Sequence, residues 1–453
     1  MDGSSSTRTG AKPRLLREVG LFDATMVVMG GIVGSGIFLN PYVVARQVHT
    51  PGLILGAWIF GGAIAVAGAF IWAELAATLP EAGGQYVYLR EAYHPLVAFL
   101  YGWVLLLVIE TGGMAAVTIT FARYFIELVR VRAPEWLVGC VALGVLTLVN
   151  CLGVKTGGRT QSILMVLKIV AIASLVIAGL ALAPNRHEIP TAGHEGSLLA
   201  SFGAAMVPVM FAYGGWQTAN FIAAEVKQPE RNLPRALLIG VAGVIVLYVA
   251  VSWVCLRALG AQGLAATTTP ATAVMRLALG ERGVTLISAA IAISTLGFLS
   301  QSILTAPRVY FAMAADGLFF RKVARVDPRT HVPILAILLQ SVWTIVIAVS
   351  GRYEQILNYV VSMDFLFFAL TASTVFVFRR RQKAGGAAPY PVPGHPATTA
   401  FFVAICCWIV GNTIYRYPQN TLIGFILLLA GIPAYRFWRQ GAKNTIVENG
   451  GSA

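Results

Sequence analysis

Charge is scarce in this chain. Of its 453 residues only 11% are Asp, Glu, Lys or Arg, against about 25% in an ordinary soluble domain. That deficit excludes a conventional water-soluble globule, and no extended polar segment remains to build a separate soluble domain. Acid is scarcer than base, 19 residues against 33, so the net charge is +14. The five cysteines are Cys140, Cys151, Cys255, Cys406 and Cys407. Each lies in or beside an apolar run, without metal-ligand spacing or the pattern of a disulfide framework. His-Glu-x-x-His, Gly-x-Ser-x-Gly, a Walker glycine loop and Cys-x-x-Cys are all missing. No catalytic site, metal or cofactor is therefore expected, and without a nucleotide site a primary pump is excluded.

What is present is hydrocarbon. Hydrophobic residues make up 57% of the chain, and mean hydropathy is +0.75. Runs of about 20 apolar residues, each long enough to cross ~30 Å of lipid, recur along the whole length. Twelve are counted: 22–48, 52–79, 95–128, 134–152, 159–183, 199–226, 232–260, 282–313, 332–350, 354–378, 398–416 and 419–438. The third and eighth exceed one bilayer thickness and must tilt or project. The segment 1–17 reads as a tail, 384–397 as a loop and 441–453 as a second tail, leaving one membrane domain over 18–440. No cleavable signal peptide is expected, because the first apolar run is too long and follows a polar, basic start.

The basic excess is topological. Numbering spans from residue 1, one side of the membrane holds 22 of the 33 Lys and Arg residues and the other holds nine. The remaining two, Arg123 and Lys168, lie within helices. Positive charge gathers on the cytoplasmic side. The expectation is a multi-pass protein of the plasma (inner) membrane with both ends cytoplasmic. Nucleic acid is not an expected partner; the lipid bilayer is.

Glycine breaks the first span. Gly30-Gly31-Ile32-Val33-Gly34-Ser35-Gly36-Ile37-Phe38 lies in its middle. An unpaired backbone group in lipid costs several kcal/mol, so broken helix persists only where it lines a cavity or meets a ligand. A second interruption, Phe211-Ala212-Tyr213-Gly214-Gly215-Trp216, falls in the sixth span. From Phe22 to Val33, and from Ala200 to Phe211, is ~18 Å of helix, about halfway across the core. The first and sixth spans each open a group of five, and an odd group size inverts the second relative to the first. Two matched interruptions in inverted repeats mark the binding site of a secondary transporter. The fold expected is an all-α membrane protein of twelve transmembrane helices: a 5+5 inverted repeat with broken helices 1 and 6, plus two extra C-terminal helices. Repeat one covers about 20–185, repeat two about 198–380, and helices 11–12 about 398–438.

These breaks dictate chemistry. The second half of helix 1 starts at Gly36 or Ile37 with its N-terminus at the midplane, where free N–H groups and partial positive charge attract a carboxylate. Ser35 and Gly36 are the expected donors. Carbonyls near Ile32 and near Phe211 end the opposing half-helices and suit an ammonium group. One pole for carboxylate and one for ammonium fits an α-amino acid. Gly34, Tyr213, Gly214 and Trp216 join this candidate site, although aromatic residues at a break can also serve packing alone. Lys168 lies nine residues beyond Arg159, ~14 Å deep, and its reach of ~6 Å strains any snorkelling to water. Gly31, Ser294 and Thr295 are its candidate partners; a lysine that buries only its stem is the alternative. Glu110, ~22 Å into helix 3, and Asp364 in helix 10 are candidate selectivity or proton sites. Glu74, Arg308 and Asp316 read as gate or loop ion pairs.

The combination of motifs resembles the amino acid–polyamine–organocation superfamily, with its LeuT-type 5+5 fold, and most of all its L-type amino acid transporter branch. The matching stretches are Gly31 to Phe38, Ala73-Glu74-Leu75, Pro80 to Tyr86, Val149 through Lys155, Phe211 to Trp216 and Pro229 to Pro234. The resemblance implies a gate at Phe211 over bound substrate. It implies that Lys168 replaces the sodium ion of sodium-coupled relatives, and hence sodium-independent transport. It also gives Glu110 an acidic counterpart, whereas Asp364 departs from the pattern. L-type animal relatives join a heavy chain through a cysteine between helices 3 and 4. The loop Arg130-Val131-Arg132-Ala133-Pro134 has none, so no disulfide-linked partner is expected. The expected function is sodium-independent alternating-access transport of neutral L-amino acids, by exchange or with protons. A cationic amino acid or polyamine carrier is the runner-up; a channel, a non-transporting sensor and a membrane-embedded enzyme are the competing classes.

Overall fold

The computed structural model describes residues 15–185, 198–350, 353–382, 390–416 and 418–450. No extended strand occurs among the described residues; the single bridge pairs Val19 with Val226. Of the expected tails 1–17 and 441–453, residues 1–14 and 451–453 lie outside the described residues, as do 384–389 of the loop 384–397, while 441–450 continue the last helix.

The first apolar run forms α1, Leu21–Ile32, and α2, Gly36–Val48, bent by 40° at the break between them. Next come α3, Pro51–Thr78, and a short α4, Gln85–Ala92, outside the candidate spans. The third run is one rod in three parts: α5, Pro95–Val104, a π-helical turn at Leu105–Ile109, and α6, Glu110–Val129. Then follow α7, Glu135–Cys151, α8, Val154–Leu182, and α9, Leu198–Tyr213. Beyond α9 the chain forms a 3-10 segment, Trp216–Glu225, rather than the α-helical continuation that the run 199–226 predicts. Its first half is also longer than the expected 12 residues, at 16.

The second half continues with α10, Pro229–Ala266, α11, Pro270–Thr305, α12, Pro307–Ala315, and α13, Ile334–Ser350. Gly260 (φ 71°) and Gly280 (φ 62°) break α10 and α11. These kinks coincide with the expected ends of the seventh span and start of the eighth. A left-handed φ carries no Cβ penalty at glycine, so the chain turns there out of the membrane-crossing helix. The last helices are α14, Tyr353–Gln382, α15, Ala397–Arg416, and α16, Pro418–Gly450.

Nine helices among the described residues are long and apolar enough to cross a bilayer, or ten with the bent α1–α2 pair. The two other expected spans, 134–152 and 332–350, fall on α7 and α13, of 17 residues each. A helix of that length rises ~25 Å, short of ~30 Å of hydrocarbon. The multi-pass helical architecture is therefore present, while α7 and α13 need local thinning or flanking residues to complete a crossing.

The centre is the α1–α2 break. There α1 packs against α8, α10 and α11, and α2 against α9 and α10. The two interruptions touch. A Cβ on Gly31 would lie 2.6 Å from the Gly215 carbonyl oxygen, and one on Gly215 2.1 Å from that of Gly31. Gly215 also has φ 107°. Only glycine meets both demands, so these residues bring the two broken helices into backbone contact.

Candidate functional site

At the first break, three consecutive carbonyls face three different helices. The Ile32 carbonyl accepts the Tyr248 hydroxyl of α10 at 3.0 Å. The Val33 carbonyl accepts from Lys168 Nζ of α8, and the Gly34 carbonyl accepts the Ser294 hydroxyl of α11 at 3.1 Å. An unwound segment cannot satisfy these groups within itself. Side chains of neighbouring helices do so instead, which holds the break open in one geometry.

Lys168 is fully buried. Its second acceptor is the Gly30 carbonyl at 3.5 Å. It therefore grips the end of α1 on both sides of Gly31, the residue singled out from sequence, rather than Gly31 itself. Of the two expected helix 8 partners, Ser294 binds the adjacent Gly34 carbonyl, and Thr295 turns its hydroxyl to Ile291 and Ala292 in its own helix. Room for the lysine comes from Gly297: a Cβ there would lie 2.5 Å from Lys168 Cε.

In front of the break lies a cavity. Gly31, Ile32, Gly34, Ser35 and Gly36 form one wall, and Phe211, Gly214, Gln217 and Thr218 another. Ser35 is 2% exposed, and its side chain does not cap α2. By helix geometry the N–H groups of Gly36 and Ile37 have no acceptor within α2. A Cβ on Gly36 would sit 3.2 Å from the Ala212 Cβ, so glycine also sets the distance to α9.

The carbonyls expected for ammonium are partly engaged. Ile32 accepts from the Gly34 N–H at 3.0 Å as well as from Tyr248, and Phe211 accepts from the Gly214 N–H at 3.3 Å. The Tyr248 hydroxyl also lies 3.2 Å from the Ala212 carbonyl, so one phenol spans the ends of both half-helices.

Phe211 borders the cavity; Tyr213 and Trp216 do not. Tyr213 is fully buried against Trp58 and Tyr248, with ring centroids 5.9 and 5.1 Å away. Trp216 packs on Trp72 and Phe368 at 6.3 and 5.2 Å. Both rings lie behind the site and brace it, Tyr213 from the last residue of α9 and Trp216 from the residue after the Gly215 turn.

Glu110 and Asp364 both face the cavity. Glu110 follows the π turn and is 8% exposed. The turn's extra residue is visible in the backbone bond from the Glu110 N–H to the Leu105 carbonyl, five residues back. It rotates Glu110, Gly113 and Val117 onto the cavity wall, and such π bulges recur at functional sites. Ser302 lines the same cavity as these two carboxyl groups. Neither is in an ion pair among the described residues.

Sequence reasoning missed Tyr248, Gln217, Thr218, Phe298, Gln301 and Ser302. Gln301 Nε2 donates to the Thr218 hydroxyl at 2.6 Å, and Thr218 donates to the Gly215 carbonyl at 2.7 Å. This chain ties α11 to the second break. Its signal was the polar run Ser300-Gln301-Ser302 inside an apolar span, because polar groups in lipid must be paired and commonly mark a pathway.

On the side with excess positive charge, ion pairs tie the helices together. Arg308 and Glu225, both 0% exposed, form a bidentate pair at 2.6 and 3.1 Å. The Glu225 carbonyl also accepts the N–H groups of Glu18 and Val19, which draws the segment before α1 across this end. Glu74 takes Arg379 bidentately at 2.8 and 2.7 Å and the Val392 N–H at 2.6 Å. Asp316 takes Arg90 at 2.7 Å and the Tyr86 hydroxyl at 2.9 Å. Burial, then the Asp316 charge, raises the Tyr86 hydroxyl above its ordinary range, so it stays a donor. Among the described residues no group of His, Cys, Asp and Glu could hold a metal ion, and all five cysteines are free.

Comparison with known proteins extends these observations. A family model described as "Amino acid permease" matches residues 19–432. The serine/threonine exchanger SteT of Bacillus subtilis (strain 168) is 31% identical over 429 residues, which is 93% of this chain and 96% of the relative. The large neutral amino acids transporter small subunit 2 of Homo sapiens is 29% identical over 448 residues, 96% of this chain and 83% of the relative. The cystine/glutamate transporter of Homo sapiens is 27% identical over 432 residues, 94% and 85% of the two chains.

Proposed function

This chain belongs to the amino acid permease family, and from that premise we propose that it is a sodium-independent carrier of neutral L-amino acids, working by alternating access. It is an integral, multi-pass membrane protein. The observation that carries the reading is the α2 N-terminus at Gly36, opening into a cavity where two interrupted helices meet. The relatives by name exchange or transport amino acids, serine and threonine in one case and large neutral ones in another.

In this reading the substrate carboxylate takes the Ser35 hydroxyl and the Gly36 N–H. The dipole of α2 adds stabilisation of up to ~2 kcal/mol at a partly buried site. The ammonium group takes carbonyls at the ends of α1 and α9, and must compete there with Tyr248 and the Gly34 N–H. Phe211 closes over the substrate. Lys168 supplies from the protein the cation that would otherwise be a sodium ion at the break, which is why no sodium is needed. The basic side faces the cytoplasm, with both termini there, in the plasma (inner) membrane. The human relative is by name a small subunit; the loop 130–134 of this chain has no cysteine, so no disulfide-linked heavy chain is expected.

A second reading has its own observation. Glu110 and Asp364 face the cavity without a cationic partner among the described residues, an arrangement that suits a cationic side chain or a polyamine, or a coupled proton. One experiment separates the readings: all amino acids compete against one labelled substrate in proteoliposomes, at two pH values, with and without sodium. The neutral reading requires competition by neutral amino acids and indifference to sodium. Competition by lysine, arginine or polyamines alone would establish the second reading instead.

A further inference from the structure

A second cavity lies far from the breaks, along α16 near Tyr435. His94, Tyr435, Arg436, Arg439 and Gln440 border it. Every polar group there that is free to act is a cation or can donate. His94 caps α5 by accepting the Leu96 N–H on Nδ1 at 3.1 Å. In the neutral ring the proton then sits on Nε2, which is left to donate outward. Arg436 and Arg439 are exposed, and neither has an acidic partner in an ion pair among the described residues.

The floor is rigid. Tyr435 is 4% exposed and packs on Phe99, with ring centroids 5.5 Å apart. The Arg439 guanidinium lies 5.8 Å from the Tyr435 ring centroid, which orients its fork of donors. Trp438, next in sequence, packs on Phe99 and on Phe319, at 5.9 and 5.3 Å. This stretch of α16 is thus held by aromatic contacts, while its arginines have no ion-pair partner among the described residues.

The groove opens onto hydrocarbon. Leu422, Ile426 and Leu429 of α16 are more than half exposed, as is Phe437 beside the arginines. The span that ends here runs from Thr421 to Gln440. The cavity therefore sits where a membrane-crossing helix leaves the bilayer, with apolar surface leading away from it.

We propose that this groove binds the phosphodiester headgroup of an anionic phospholipid, with Arg436, Arg439 and His94 Nε2 on the phosphate oxygens and the acyl chains along the exposed face of α16. Paired donors from arginine match phosphate geometry, and basic pockets at the ends of spans on the positive side are suited to anionic lipid. The apolar face favours a lipid over a free phosphate ion, because only a lipid covers both surfaces. The proposal needs the chain to lie in a bilayer and does not depend on which substrate it carries.

The test uses the full chain, purified in a neutral detergent. Thermal unfolding is followed while short-chain phosphatidylglycerol, short-chain phosphatidylcholine or inorganic phosphate is titrated. Phosphatidylglycerol should raise the midpoint and phosphatidylcholine should not. In the Arg436→Gln/Arg439→Gln variant the apparent affinity for phosphatidylglycerol should fall about 30-fold, while Arg436→Lys/Arg439→Lys keeps most of it. Equal responses of wild type and the Gln variant would overturn the site. Stabilisation by millimolar inorganic phosphate matching that by phosphatidylglycerol would overturn the lipid as its occupant. Should the Gln variant fail to fold, native mass spectrometry of the wild type decides: equal retention of phosphatidylglycerol and phosphatidylcholine refutes the proposal.

Discussion

Replacing Lys168 with Met removes a charge and three donors while nearly preserving volume. The side chain is fully buried and donates to the Val33 and Gly30 carbonyls. After Lys168→Met the Val33 carbonyl loses the one partner that α8 supplies. A buried acceptor left without a donor costs ~1–3 kcal/mol. That loss falls on the α1 end next to Ser35 and Gly36, so it weakens the arrangement that binds substrate. If all of it appears in binding, affinity drops between ~5-fold and ~150-fold. Equilibrium binding of labelled substrate to the purified variant reads this directly, with insertion and monodispersity checked first. Because Met fills the space, a cavity effect is small, and Lys168→Ala should be worse by the added void. Binding of Lys168→Met within twofold of wild type would refute the claim that Lys168 anchors the break. Sodium-dependent uptake by the unmodified chain would refute its role as a replacement for sodium.

Gly36→Val should abolish binding without changing insertion, since a Cβ already meets Ala212 at 3.2 Å and the extra methyls crowd the carboxylate position; for the same reason an amidated amino acid should compete poorly, and equal competition would remove the carboxylate assignment. Phe211→Ala should leave expression intact and reduce transport at least ~10-fold, as expected if about 1.4 kcal/mol of occluded-state packing is lost; normal flux would take Phe211 out of the site. Gly297→Ala should act like a partial Lys168 variant, because the new Cβ overlaps Lys168 Cε at 2.5 Å; unchanged substrate affinity would contradict that packing. Asp364→Asn should shift the competition panel toward side chains without a cationic group if the carboxyl reads the side chain, and an unchanged panel would assign it elsewhere.

Much of the architecture was legible because lipid constrains sequence so strongly. The apolar runs 232–260 and 282–313 stop and start at the kinks of Gly260 and Gly280, and the breaks at Gly34 and Gly214 stand out against uninterrupted hydrocarbon. The depth of Lys168 followed from its distance to Arg159. Its partners were less legible, since the unwound segment Val33-Gly34-Ser35 does not keep helical register; the lysine meets Gly30 and Val33 rather than Gly31. Tyr213 and Trp216 were drawn into the site by adjacency to the break, but Tyr213 ends α9 packed on Trp58 and Tyr248, and the positive φ of Gly215 with the 3-10 turn after it carries Trp216 to the back. Tyr248 and Gln301 were invisible as site residues because their contacts cross from other helices, 216 residues away for the bond to Ile32. The Arg308–Glu225 pair joins residues 83 apart, a distance that no local pattern encodes.

The central claim is that a small amino acid is carried, alternately exposed, from the cavity at the paired breaks. Counterflow tests it most directly. Proteoliposomes are loaded with an unlabelled neutral L-amino acid, and trace labelled substrate is added outside, with no sodium present. The predicted result is a transient overshoot of label that requires internal substrate and disappears in Gly36→Val. Label that equilibrates without overshoot would mean a channel, and label that binds without entering would mean a sensor; either would contradict the account.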